Sequence, residues 1–289
     1  MAEASPAEAN LDALQADRAH TWRARLRRRP DLFIGLLVVL LALVVSVLAP
    51  VLVPYPPDQA NFALTLAPPG GTHLLGTDNL GRDVLSRLIA GTGSSLLSAV
   101  GAVAIALVAG TTIGVVAAHA TGSIWDDVLM RIMDAVLALP PLVLAIAVAF
   151  VLGSGLTNAM LAIAVVFMPS FARLARAKAL QVLRLGYVEA ARSVGASTGR
   201  VLVRHVVPNI MGPSVATGVL NVGSAVIIEA SLSFLGLGLA PPAPTWGFMI
   251  SSGVTYLQQA PWLVLFPSAA IAVSVFGFTL LGRGLNDRA

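Results

Sequence analysis

The sequence predicts an all-α polytopic membrane protein with six transmembrane helices and both termini in the cytoplasm. Three observations carry that expectation. The chain has 289 residues, 57% of them hydrophobic and 11% charged, with a mean hydropathy of +0.85, whereas a soluble domain carries about 25% charged residues. The charges sit in short clusters between apolar runs of about 20 residues, the length that crosses a hydrocarbon core. Of the 18 basic residues, 16 fall on one side of such an arrangement. Water-soluble enzymes, secreted disulfide scaffolds and disordered chains fit poorly. With no cysteine, disulfides, thiolate metal sites and a cysteine nucleophile are excluded. The net charge of +4 forms no solvated basic face, so nucleic acid is not an expected partner; the lipid bilayer is.

Residues 1–30 read as a cytoplasmic tail, disordered over its Ala- and Glu-rich first 17 residues. Residues 31–289 read as one transmembrane domain. The first span is about 32–53, charge-free between Asp31 and Asp58. It is too long for a signal peptide, and Pro50 follows Ala49 where cleavage would fall. The second is about 94–118, with Gly101, Ala102, Ala106, Gly110 and Gly114 allowing neighbouring helices to approach closely. A charge-free stretch from Ala135 to Ala172 is broken by Gly153-Ser154-Gly155. This gives a third span, about 133–152, kinked at Pro140-Pro141, and a fourth, about 158–177. The fifth is about 209–235 and the sixth about 261–282, separated by a loop containing Pro241, Pro242 and Pro244.

Arginine and lysine set the orientation. The tail holds Arg18, Arg23, Arg25, Arg27, Arg28 and Arg29. Arg131 follows the second span, seven basic residues from Arg173 to Arg204 follow the fourth, and Arg283 and Arg288 end the chain. Arg82 and Arg87 stand alone on the opposite face.

On that opposite face, residues 54–75 read as an extended proline-rich loop. In Gly76 to Arg87, Thr77 or Asp78 is a plausible helix cap. Asp78 with Arg82 and Asp83 with Arg87 are opposite charges at i,i+4. The expectation is an amphipathic helix at the membrane surface or against neighbouring spans, either structural or in contact with a delivery protein or substrate.

The connection between the fourth and fifth spans, about 184–208, carries the functional reading. Tyr187 to Val194 form two helical turns, and Gly195 stops them. Ser197 or Thr198 caps a second short helix ending near Pro208. Ala190, Ala191, Gly195 and Ala196 make this elbow slim enough to enter a partner's groove. Glu189 and Arg192 offer polar contacts at the rim. An ordinary inter-helix loop would share these features.

Glu229 lies inside the fifth span, where a carboxylate must face protein or water. It reads either as a structural acceptor for the Ser231–Gly238 turn or as a path-lining anion, with Asn221 and Ser224 on the same face. Asp134 lies at the inner end of the third span. The histidines at 20, 73, 119 and 205 are isolated. The single lysine, Lys178, follows no phosphate-cradling loop. Too few intramembrane carboxylates and histidines exist for the relays of an ion-coupled secondary transporter, the rival reading. Neither Gly-x-Ser-x-Gly nor His-Glu-x-x-His occurs to support an intramembrane enzyme.

Glu189-Ala190-Ala191, Gly195 and Pro208 before a span together resemble the EAA loop of ATP-binding-cassette importer permeases. Gly76–Arg87, Glu229–Gly238 and the Pro241–Gly247 loop resemble segments of its peptide and nickel branch, closest to the C-type permease. His205 and Val207 depart from the general pattern, though the peptide branch often has this histidine. The resemblance implies a type I importer permease in a bacterial plasma membrane, without catalytic residues. It implies a heterodimer with a second permease that forms the pore for dipeptides or oligopeptides. Tyr187, Glu189, Ala190, Ala191, Arg192, Gly195, Ala196 and Ser197 would couple to one or two cytoplasmic ATPase chains, which bind ATP and Mg. An external binding protein would deliver the cargo, which in such relatives can also be a nickel chelate, glutathione or another small solute.

Overall fold

The computed structural model describes residues 30–286. The tail arginines 18–29, the Ala- and Glu-rich stretch before them and Arg288 lie outside the described residues. In chain order the helices are α1 (Pro30–Leu52), α2 (Val84–His119), α3 (Ile124–Leu137), α4 (Pro141–Leu152), α5 (Leu156–Leu183), α6 (Gly186–Ser193), α7 (Thr198–Val201), α8 (Val207–Phe234), α9 (Trp246–Val254) and α10 (Trp262–Asn286). Among the described residues there is no strand, only two isolated bridges. Among the described residues, five helical segments are long and apolar enough to cross a membrane, or six if α3 and α4 form one bent span.

The apolar core lies where α2 packs against α5, with α8 and α4 closing it; Leu96, Ile163, Phe171, Ala225 and Leu232 are buried there. Small residues set the closeness. A Cβ on Gly110 would collide with Met168 O and Phe171 Cβ, and one on Gly114 with Ala172 O. Membrane helices associate by such backbone approach, because lipid tails compete for apolar contact. α1 packs on the outside against α10 and leaves most of its leucines and valines exposed, as a lipid-facing helix should.

Two expectations are corrected here. The third span is not one kinked helix from residue 133. The helix ends at Leu137, residues 138–140 are non-helical, and α4 starts at Pro141 after a bend of 99°. Pro140 and Pro141 remove two consecutive N–H donors, and each disfavours helical backbone in the residue before it.

The segment Gly76–Arg87 is not an amphipathic surface helix either. Helix α2 starts at Val84, capped by Asp83, whose carboxylate accepts from Ser86 N–H at 2.7 Å. Ahead of it the chain makes a buried turn, with Gly81 in the left-handed region at φ 74 and Thr77, Asp78 and Arg82 buried. Asp78 and Arg82 do pair, Nε to Oδ2 at 2.7 Å, but across this turn. Asp83 and Arg87 do not pair. Asp83 is taken by Ser86 and by His73 at 2.8 Å, so His73 is not isolated. Arg87, 2% exposed, donates to Pro57 O at 2.9 Å, Asp58 at 3.3 Å and Pro242 O at 3.4 Å. A buried guanidinium needs partners for its whole fork, and long-range ones supply them.

Candidate functional site

The elbow is built by three local devices. α6 ends in a Schellman turn: Ala196 N–H donates to Ala191 O at 3.0 Å and Gly195 N–H to Arg192 O at 2.9 Å. Gly195 supplies the φ of 86 that this turn requires. Ser197 then starts α7, whose Val201 N–H donates to Ser197 O at 3.0 Å. Buried Val188, Val201 and Val206 seat the elbow against Val115 and Ala118 of α2 and Ala175, Ala179 and Val182 of α5.

Much of the rest of the elbow is exposed. Tyr187, Glu189, Ala190, Arg192, Gly195 and Ser197 are exposed; Ala191 and Ala196 are partly so. Val194 is 86% exposed and Leu185 46%, so a small apolar surface lies beside the polar groups. Most of the sequence-predicted residues are therefore exposed on a fixed base, while Ala196 packs against that base.

The second short helix does not end near Pro208. α7 passes through a π-helical turn, Leu202–Val206, directly into α8, forming one helical run from Thr198 to Phe234. Pro208 cannot donate to Arg204 O, and the wider turn accommodates this. Asn209 Nδ2 donates to His205 O at 2.6 Å and to Tyr187 Oη at 3.2 Å, joining α6 to α8. Neither the π turn nor this contact has a signal in the sequence beyond Pro208 itself.

The fifth-span residues are not brought to one surface. Glu229 is 2% exposed and accepts from Ser233 Oγ at 2.7 Å; its partner is a side chain rather than the backbone of the turn. Ser224 is exposed, and Asn221 is partly buried with Nδ2 unpartnered. At about 100° per residue, the five residues from Ser224 to Glu229 turn the carboxylate away from the serine.

Two ion pairs missed by the sequence reading join α3 to α5. Arg176 meets both oxygens of Asp126, Nε at 2.7 Å and Nη2 at 2.6 Å. Arg173 Nε meets Asp134 at 3.1 Å. The hydrogen bonds from Arg176 hold the Asp126 carboxyl, which precedes the expected third span, below the ordinary carboxylate range.

Residues 110–289 match the family described as "Binding-protein-dependent transport system inner membrane component". Residues 19–69 match the N-terminal TM domain of oligopeptide transport permease C. The chain is 42% identical to the di/tripeptide transport system permease protein DppC of Pseudomonas aeruginosa, over 88% of this chain and 85% of that one. It is 40% identical to the glutathione transport system permease protein GsiD of Pectobacterium atrosepticum, over 92% and 88%. It is 37% identical to a putative peptide transport system permease protein of Brucella suis, over 91% and 88%. The inward-facing MetNI methionine ABC transporter shares the fold, with a TM-score of 0.56 at 17% identity over 70% of this chain and 95% of that one. An exposed elbow on a helical membrane domain, with these matches along most of its length, identifies the chain as a member of the binding-protein-dependent transport permeases, the membrane subunits of ATP-binding-cassette importers.

Proposed function

We propose that this chain forms half of the pore of an importer for dipeptides and oligopeptides, paired with a homologous second permease. Its elbow seats in a groove of a separate cytoplasmic ATPase, which binds ATP and Mg. One or two such ATPase chains drive the pore, and an external binding protein delivers the cargo. The chain catalyses no covalent step.

The observation that carries the mechanical reading is the unbroken helical run from the elbow to Phe234. A partner that moves α6 and α7 moves α8 as one body. Ser224, exposed on α8, and the partly buried Asn221 near it are our candidates for lining a path, while buried Glu229 serves as a support bonded to Ser233. The seven basic residues from Arg173 to Arg204 and those of the tail favour a cytoplasmic elbow and cytoplasmic termini in a bacterial plasma membrane. The peptide cargo rests on the relatives named for peptides and for glutathione; nickel chelates or other small solutes would suit the same architecture.

The test is uptake by proteoliposomes holding both permeases, the ATPases and the binding protein. ATP-dependent accumulation of labelled di- and tripeptides is expected. Accumulation of nickel alone, or uptake that persists without the ATPase chains, would overturn the reading.

A further inference from the structure

We infer that α3 lies along the membrane surface, its exposed apolar side sunk into lipid, rather than forming part of a membrane crossing. Its sequence divides around the helix into three sectors at about 100° per residue. Asp126 and Met133 are buried against the protein. Ile124, Trp125, Val128 and Ile132 form a second sector and are 73%, 69%, 40% and 51% exposed. Asp127, Arg131 and Asp134 form a third and are also exposed. A helix inside a bundle needs one apolar sector, and one crossing lipid has no place for a charged one. A helix at an interface has all three: protein beside it, acyl chains on one side, water and headgroups on the other.

The ion pairs bear on the tilt. Asp126 and Asp134 are eight residues apart, about 12 Å along α3. Their partners Arg176 and Arg173 are three residues apart, about 4.5 Å along α5. That mismatch agrees with α3 crossing the spanning helix α5 at an angle, as the 99° turn between α3 and α4 also does. Its level follows from the same residues. Arg173 and Arg176 lie about 26 and 30 Å below Leu156, close to one hydrocarbon thickness. The 99° bend then turns the chain from this surface into α4. Trp125 is the aromatic expected at such a boundary, and Arg131 faces the headgroup layer.

The absence of cysteine makes the test direct. Single cysteines at positions 124, 127, 128, 131 and 132 are spin-labelled in the assembled transporter in phosphatidylcholine–phosphatidylglycerol bilayers. Collisions with oxygen and with a water-soluble nickel chelate are then compared. Labels at 124, 128 and 132 are expected to favour oxygen and those at 127 and 131 nickel, with no steady trend in depth along the helix. Three outcomes would overturn the placement: depth changing by about 1.5 Å per residue, as in a spanning helix; nickel favoured throughout, as in a water-filled cavity; or neither reagent reaching 124 and 128, as under another protein chain. As a check that introduces no label, shallow-brominated lipids should quench the native tryptophan emission more than that of Trp125→Phe; equal quenching would also overturn it. That this surface is the cytoplasmic one rests on the orientation proposed above. The depth readings do not depend on sidedness, so a reversed orientation and a misplaced α3 give different results.

Discussion

Arg176 grips Asp126 through two parallel hydrogen bonds, 2.7 and 2.6 Å long, across 50 residues of sequence. Asp126 is 4% exposed at its side chain and Arg176 30%. Replacing Asp126 with Ala leaves the guanidinium half-buried beside an apolar gap. The expected cost is about 2–3 kcal/mol, the range for losing a charge-assisted bond with one partner left behind. A lowered melting temperature of the detergent-solubilised complex checks it. Because Arg176 depresses the Asp126 pKa in the folded chain, the ionised carboxylate stabilises fully above about pH 4, the unfolded value. That contribution disappears as pH falls through the lower folded value. The melting difference between the native chain and Asp126→Asn should therefore stay constant from neutral pH down to about pH 5 and narrow below it.

Arg87 ties three separate segments together on the opposite side: the loop at Pro57 and Asp58, the turn at Asp78, and Pro242. Arg87→Ala removes the donor to Pro57 O and Pro242 O and the pair with Asp58, while Asp78 keeps Arg82. About 2–3 kcal/mol should be lost, the range for hydrogen bonds made by a charged group. Arg87→Lys should recover only part of this, because one ammonium cannot reproduce the fork. Limited proteolysis within residues 54–83 is the readout, with cleavage rising in the order native, Lys, Ala.

These two arginines show what the sequence could and could not reveal. Runs such as Leu32 to Val53 declare themselves because a hydrocarbon layer demands length and apolarity from contiguous residues. Gly195 and Ser197 declare the elbow because helix ends have local chemistry. The pairing of Arg87 has no local signature. Its i,i+4 spacing from Asp83 invites a helical pair, yet burial selects partners 29 and 155 residues away. The same holds for Arg176, whose cluster read as a set of topology anchors. The π turn arises because Pro208 denies Arg204 O a donor, and the sequence does not fix whether the helix then stops or widens. It widens, so the elbow is continuous with α8.

Glu229 and Ser233 test whether that carboxylate is part of a path or a support. Glu229→Gln keeps an acceptor for Ser233 Oγ and should leave peptide uptake within about twofold, since a neutral buried hydrogen bond is worth about 1 kcal/mol. Glu229→Leu removes the acceptor and should lower the yield of folded complex by leaving a buried hydroxyl unpaired. Uptake abolished by Gln at normal yield would place the carboxylate in the path.

Val188 and Glu189 stand next to each other on α6, one fully buried and the other exposed. The adjacent pair separates seating from docking. Val188→Ala opens a gap in the elbow's base and should cost about 2 kcal/mol, the low end for large-to-small changes. It should raise protease cleavage between residues 184 and 208. Glu189→Arg touches no buried contact and should leave that cleavage, membrane insertion and melting unchanged. It should still weaken co-purification of the ATPase by tenfold or more, as reversing a contact charge does at an interface, and reduce ATP-driven uptake to match. A second reversal on the ATPase groove, Arg or Lys to Glu, should restore part of the binding to Glu189→Arg while weakening it to the native chain. If Glu189→Arg binds the ATPase normally but Val188→Ala does not, the motor reads the shape of the elbow alone and the carboxylate plays no part in docking.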